Sequence, residues 1–186
     1  MMAMDFSKKV VFITGAASGI GAAQAQAFLT TGAYVFAFDQ QKQEMLTLQM
    51  NYPEQFAFFI GDVREKIALK KAIRKCHEHF GTVNILLNTA GVLDDYLPLH
   101  DTDEELWSNI LTTNLNSMFT LTKLLLPELL DNQGTVINMA SIAGLVAGSG
   151  GIAYTTSKHA IVGFTKQLAL DYAAKGLHVN AIAPGA

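Results

Sequence analysis

The stretch VVFITGAASGIG, residues 10–21, decides how the rest of the chain is read. Its first half, VVFIT (Val10–Thr14), is a short β-branched and aromatic run, the composition of a strand. Its second half, TGAASGIG (Thr14–Gly21), is a glycine turn that opens an alanine-rich helical stretch ending near Gly32. Gly15 allows the tight turn. Gly19 and Gly21 remove side chains where a phosphate and the strand must approach closely. The helix N-terminus then offers unpaired N–H groups and a partial positive charge to a pyrophosphate. No Gly-Lys-Ser/Thr comes after it, so the turn is not a P-loop with a lysine for a terminal phosphate. Tight turns need glycine too, so the reading depends on the rest of the chain.

The segments after Gly32 repeat the same rhythm. AYVFAFD (Ala33–Asp39) is a second strand, with a polar helical stretch to about Asn51. Pro53 precedes a third strand, FAFFIGD (Phe56–Asp62), and a charged helix covers about Arg64–Phe80. VNILLNTAG (Val83–Gly91) reads as a fourth strand and turn, followed from about Thr102 by a long helical region interrupted or ended near Pro127. GTVINMAS (Gly134–Ser141) is the fifth strand. A glycine-rich loop leads into a helix from about Gly151 to Ala174, and LHVNAIAPG (Leu177–Gly185) is the sixth strand and its exit. Near-continuous apolar strands alternating with helices call for a parallel sheet covered on both faces, a doubly wound three-layer α/β/α fold. No linker, low-complexity tract or repeat divides the chain, so residues 1–186 read as one domain.

Asp39 strengthens the dinucleotide reading. It ends the second strand, 18 residues after Gly21, where a carboxylate can accept from ribose hydroxyls. It would repel a 2′-phosphate by roughly 4 kcal/mol at 4 Å and an effective dielectric near 20, before screening. Ala16, Ala17, Gln40 and Gln41 are neutral and offset none of this, so NAD(H) is favoured over NADP(H). The alternative role for Asp39 is to cap the following helix, and one residue can do both.

Composition excludes other classes. The chain has 186 residues, half of them hydrophobic and 16% charged, which argues against disorder. A net charge of −3 is no nucleic-acid footprint, and no apolar run reaches the roughly 18 residues that span a bilayer. The start, MMAMDFSKKVVFITG, has too short an apolar run for a signal peptide, so a cytoplasmic location is expected. Cys76 is alone, which excludes a disulfide frame and reads as an inert helix cysteine. His77 and His79 point different ways on a helix and read as surface residues rather than a metal pair. No metal is expected.

One more stretch needs a reason. YTTSK, Tyr154–Lys158, places a phenol and an amine at i and i+4, on one face of a helix. Together with TGAASGIG, Asp39, Asp62-Val63, NTAG (Asn88–Gly91), Asn114, Ser141 and Pro184-Gly185, in that order and at fitting intervals, it resembles the short-chain dehydrogenase/reductase family. The resemblance covers essentially the whole chain. NTAG departs from the commoner Asn-Asn-Ala-Gly by a threonine, which keeps a small polar residue there.

The resemblance implies a single Rossmann-type domain and reversible hydride transfer between NAD(H) and a secondary alcohol or ketone. It implies that Tyr154 gives or takes the proton on the substrate oxygen, that Ser141 orients that oxygen, and that Asn114 supports a water relay to Lys158. Free tyrosine titrates near 10, and a cation about 4 Å away at an effective dielectric near 20 lowers that by about three units, with burial opposing part of the shift. Lys158 is suited to that work. The resemblance also assigns cofactor contacts to Gly15, Ser18, Gly19, Ile20, Gly21, Asp39, Asp62, Val63, Asn88, Ala90, Gly91, Tyr154, Lys158, Pro184 and Gly185. Asn116 and His159 lie on other faces of their helices and are left out. The family continues past Pro-Gly with a substrate-covering segment, another helix and a seventh strand, so the chain is expected to be a fragment that lacks them.

Val92–Leu97 and Ala143–Gly151 are the substrate-pocket candidates, the first offering carboxylates and an aromatic ring, the second small and flexible. Neither carries an arginine cluster for a phosphorylated or carrier-bound substrate. Apolar residues around the helix after Gly151 point to a homodimer or homotetramer. Three other readings stand beside the leading one. They are a 3-oxoacyl-carrier-protein reductase-like enzyme using NADP(H), a dinucleotide-binding regulatory protein without turnover, and an unrelated nucleotide-binding enzyme such as a methyltransferase, in which YTTSK has no evident job.

Overall fold

The computed structural model describes residues 5–185. Met1–Met4, on which part of the N-terminal reading rests, and Ala186, where the fragment reading falls, lie outside them. Six strands alternate with helices in chain order: β1 (Val10–Thr14), α1 (Gly19–Thr30), β2 (Tyr34–Asp39), α2 (Gln43–Asn51), β3 (Phe56–Ile60), α3 (Lys66–Phe80) and β4 (Ile85–Asn88). Then come α4 (Glu104–Leu111), α5 (Ser117–Asp131), β5 (Thr135–Met139), α6 (Ile152–Tyr172) and β6 (His178–Ile182). All pairings are parallel, in the order β3-β2-β1-β4-β5-β6. This is the doubly wound arrangement expected from the sequence, and its strand order reverses between β1 and β4.

Strand alternation divides the core. Val10 and Phe12 of β1 join Phe36, Phe38, Leu86 and Val136 on one face, against Leu69 and Cys76 of α3, Leu121 and Leu125 of α5 and Leu168 of α6. Val11 and Ile13 turn the other way, with Val35, Ala37 and Leu87, against Ala25 and Leu29 of α1 and Met45 of α2. β1 and β4 are buried along their whole length, which is why their sequences read as unbroken apolar runs. Among the described residues no helix is long and apolar enough to cross a membrane.

The long helical region departs from its reading in two places. Pro127 does not end or interrupt it, because α5 runs on to Asp131. A proline inside a helix costs about 3 kcal/mol. Leu125 and Leu129, either side of it and fully buried, each return about 1.5–3 kcal/mol of burial and outweigh that cost. The interruption comes earlier, as a π-helical turn at Thr112–Asn116 between α4 and α5. Such turns displace a side chain from the regular helical stripe, and here the residue displaced is Asn114.

Cys76 is fully buried in the α3 interface. Burial, and then the charge of Glu128, push its thiol well above the usual range. Native protein at pH 8 is therefore expected to resist alkylation by iodoacetamide, with one thiol per chain appearing only in denaturant. Native labelling at the rate of a free thiol would contradict this placement. His77 is less idle than its spacing implied: its Nε2 lies 3.1 Å from both carboxylate oxygens of Glu128, which also accepts from Val83 N at 2.7 Å.

Candidate active site

The glycine turn lies where the strand order reverses. Gly15 has φ of 69° and sits so close to the β4 exit that a Cβ would stand 2.8 Å from Ala90 Cα. A Cβ on Gly21 would overlap the carbonyl oxygen of Gly15. The positive φ of Gly15 is the tight turn the spacing implied and Gly21 is a close approach, whereas at Gly19 (φ 51°) a Cβ would meet no protein atom within 4 Å. No side chain caps the start of α1 and no acid lies in its first turn, so its first N–H groups face the cleft above them.

That cleft, about 450 Å³, is lined by Gly15, Ser18, Gly19, Ile20 and Gly21 on one side, and by Asp39, Gln40, Gln41, Gly61 and Val63 at one end. Thr89, Ala90, Gly91, Val92, Thr113 and Met139 lead away from that end. Thr14 Oγ1 accepts from Thr89 N at 3.1 Å and from Ala90 N at 3.2 Å, tying the β4 exit to the end of β1. The Asp39 carboxylate accepts from Ala17 N at 2.9 Å and from Gln41 N at 3.0 Å. It is thus anchored to the glycine turn rather than capping α2, whose N-cap position is Lys42. Each oxygen accepts one of these bonds and keeps capacity for a further donor, and the residue lines the cleft. Glycine walls, free helix donors and a fixed carboxylate fit a dinucleotide.

The sequence-selected residues divide. Asp62 directs its carboxylate to the Arg64 guanidinium, with Nε 2.9 and 3.0 Å away, and that pairing holds its pKa below the ordinary value. Asn88 turns into the core, donating to Thr122 Oγ1 at 3.0 Å and to Asn138 Oδ1 at 2.9 Å, so it braces β4 against β5 and α5 beneath the cleft. Pro184 accepts from Ile142 N at 2.9 Å, which joins the exits of β5 and β6. Gly185 is exposed beyond it.

Lys158, Tyr154 and Asn114 come together next to Gly91 and Met139 of the lining, although none of the three lines the cleft itself. Lys158 is buried in α6, and its Nζ donates to Met139 O at 2.7 Å and stands 5.4 Å from the Tyr154 ring centroid. Burial lowers its pKa from 10.5 to about 8. A Cβ on Gly91 would meet Asn114 Oδ1 at 3.3 Å and Lys158 Nζ at 3.7 Å, which puts all three together. Asn114 is buried, with Oδ1 accepting from Val92 N at 2.8 Å and Nδ2 donating to Val92 O at 2.9 Å and to Ser157 Oγ at 3.2 Å. Its side chain therefore works as a brace on the β4 exit, while Asn116 is exposed as read. Ser141 comes two residues after Met139, the end of β5, and its Oγ accepts from Ala143 N at 3.1 Å. Its hydroxyl proton stays available to a substrate oxygen. Among the described residues no cluster of metal ligands occurs.

One expectation needs correction. Asp94 does not offer its carboxylate to a substrate: it is fully buried, accepting from Gly151 N at 2.8 Å and from Tyr154 N at 2.7 Å. Sequence reasoning missed this role because nothing local marks a contact across 57 residues. Asp95, next to it, is exposed.

A parallel sheet whose reversal point carries a glycine-walled cleft, with a buried lysine held at Met139 of its lining and beside a tyrosine, is the arrangement of a nicotinamide-dependent oxidoreductase. The chain belongs to the short-chain dehydrogenase family, whose model matches residues 9–186. It is 36% identical to 3beta-hydroxysteroid dehydrogenase 2 of Eggerthella lenta over 93% of this chain and 68% of that protein. It is 35% identical to 2-(R)-hydroxypropyl-CoM dehydrogenase of Xanthobacter autotrophicus, over 95% of this chain and 74% of that one. A 3-oxoacyl-[acyl-carrier-protein] reductase of Thermotoga maritima is 31% identical, over 98% and 75%.

Proposed function

We propose that the protein is an NAD(H)-dependent dehydrogenase or reductase acting on a neutral, largely apolar secondary alcohol or ketone. The observation that carries the reading is Lys158 Nζ held by Met139 O, which lines the glycine-walled cleft, and set 5.4 Å from the ring of Tyr154. The nicotinamide dinucleotide supplies the hydride chemistry when bound. Tyr154 holds or moves the proton at the substrate oxygen, Ser141 donates to that oxygen, and Lys158 favours the phenolate. Asn114 fixes the Val92 backbone beside them. The cleft residues bind and orient the cofactor, Gly15, Ser18, Gly19, Ile20 and Gly21 at its phosphates and Asp39 at its ribose.

The substrate class rests on two loops. Val92 and Leu93 after β4, and Leu145 and Val146 after β5, are all more than a third exposed. No lysine or arginine occurs between residues 91 and 103 or between 141 and 157. Such walls match an apolar molecule better than a phosphorylated one or one carried on an acidic protein. The reading also includes a homodimer or homotetramer, supported by half-exposed Phe119 of α5 packed edge-on against Phe164 of α6, and by exposed Leu170. A cytoplasmic setting fits the lone, unpaired cysteine.

The test is an activity panel on the full-length protein: 2-octanol, cyclohexanol, a 3-hydroxysteroid and a 3-hydroxyacyl thioester, each with NAD and NADP. Turnover of an apolar alcohol with NAD supports the reading, and no turnover of any panel member sinks it. A companion result concerns Asp39. Its anchored charge is expected to give NADH about a hundredfold tighter binding than NADPH. Asp39→Ala should narrow that to about tenfold or less, mainly by admitting NADPH. A fluorescence titration measures both, and equal affinities in the unaltered protein would refute the assignment.

A further inference from the structure

We propose that Asp94 is a positioning residue for the reaction: its buried carboxylate clamps the first turn of α6, and with it Tyr154, to the loop that leaves β4. The inference rests on the reading of Tyr154 as the proton-transferring group.

A helix leaves its first N–H groups without partners, and a side chain at the N-cap ordinarily takes one of them. The N-cap of α6 is Gly151, which has no side chain to offer. Asp94 does the work from another loop. One oxygen accepts from the N-cap N–H of Gly151, and the other from the N–H of Tyr154, the third helical residue. These are the two donors that a capping box satisfies from within a helix. Leu97 O, three residues further along the same loop, accepts from Ile152 N at 3.3 Å. Among the described residues Asp94 has no salt-bridge partner, so these donors are what its burial is matched to. The loop is shaped for the purpose: Asp95 and Tyr96 both adopt positive φ, at 54° and 60°. Gly151 is shaped for it as well, since a Cβ there would stand 2.6 Å from an Asp94 oxygen.

The other end of the loop is equally fixed. Both backbone groups of Val92 are held by Asn114, and Gly91 is packed against Asn114 and Lys158. The segment from Gly91 to Asp94 therefore links the lysine, the asparagine and the tyrosine. A helix start free to fray would let the phenol drift from the substrate oxygen, and a misplacement of about 1 Å can cost about a hundredfold in rate.

The experiment uses the full-length protein and the fastest alcohol of the panel. Asp94→Asn keeps the shape but turns an N–H₂ toward a backbone N–H. It is expected to lower kcat about ten- to a hundredfold, with the dinucleotide dissociation constant and the number of sites per chain unchanged. Amide exchange at residues 151–154 should quicken in the same variant, with or without cofactor. Asp94→Ala should behave alike or worse. Adding Gly151→Ser to it gives α6 a cap of its own in the space vacated, and should recover about fivefold or more of the lost kcat. In the unaltered background Gly151→Ser should be harmful, because its Cβ meets the Asp94 carboxylate.

The proposal is overturned if Asp94→Asn turns over within about twofold of the unaltered enzyme, or if amide exchange in the first turn of α6 is unmoved. It is also overturned if lost kcat merely tracks lost dinucleotide sites, or if the serine restores nothing. Tyr154→Phe is run beside them. Normal turnover by that variant removes the reading of Tyr154 itself, an outcome separate from normal turnover by the Asp94 variants alone.

Discussion

Tyr154→Phe is expected to lower turnover by about three orders of magnitude while NADH binds as before. The ring occupies the first turn of α6 and is partly exposed, with Gly150 packed so closely that a Cβ there would stand 2.5 Å from Tyr154 Cδ1. Phenylalanine fills the same space, so packing and cleft shape survive and only the hydroxyl is lost. The size of the effect comes from what that hydroxyl can do. A phenol titrating near 10 is a poor base at neutral pH. Lys158 Nζ stands 5.4 Å from the ring centroid, and a positive charge on that side favours the ionised phenol over the neutral one. Water could replace the lost proton path, but not with a fixed orientation. Single-turnover kinetics with the panel alcohol, alongside a fluorescence titration with NADH, separate chemistry from binding. Equal turnover by the two proteins would end the role given to Tyr154, and a parallel loss of NADH affinity would mean that the substitution had damaged the cleft.

One physical division separates the features legible in the sequence from the hidden ones. β1, β2 and β4 were legible because strands buried on both faces must be apolar throughout, and VVFIT or YVFAFD can be little else. Gly15 and Gly21 were legible because a Cβ at either has nowhere to go, so the residue type itself records the contact. Lys158 and Tyr154 were legible from a local spacing. The hidden features depend on partners far along the chain. Asn114 lies in an ordinary-looking TTNLN, and the π turn that sets it against Val92 goes with bonds across 22 residues. Asn88 sits in the turn motif, yet its side chain is drawn down to Thr122 and Asn138. Asp94 and Asp95 are adjacent and identical in type, one buried under α6 and the other in solvent. Pro127 carried a strong local signal that failed, because tertiary burial of Leu125 and Leu129 overrode it. Local contacts were legible wherever the residue type alone constrained its surroundings.

Lys158→Met should make the protein more stable and almost inactive at once. Burial alone takes the ammonium from its ordinary 10.5 to about 8. The folded state therefore binds fewer protons than the unfolded state between those values, and stability rises with pH across that window. Below about pH 8 the ammonium stays buried and its desolvation cost is felt in full, at most about 3 kcal/mol. Methionine fills a similar volume without that cost. The change strips Met139 O of its donor, which offsets about 1 kcal/mol. The net gain at pH 7 is about 1–2 kcal/mol, a rise of a few degrees in Tm for a chain of this size. The gain should shrink steadily from pH 8 to pH 10.5, as the unaltered protein sheds its buried charge. Turnover should fall at least about a hundredfold, since the phenol loses the charge that favours its ionised form. Denaturant melts of both proteins without cofactor, at intervals across that pH range, measure the stability difference directly. A variant less stable at pH 7, with a difference indifferent to pH, would show that the lysine is held by favourable bonds rather than retained at a cost. The opposite signs on stability and rate mark a strained group kept for its chemistry.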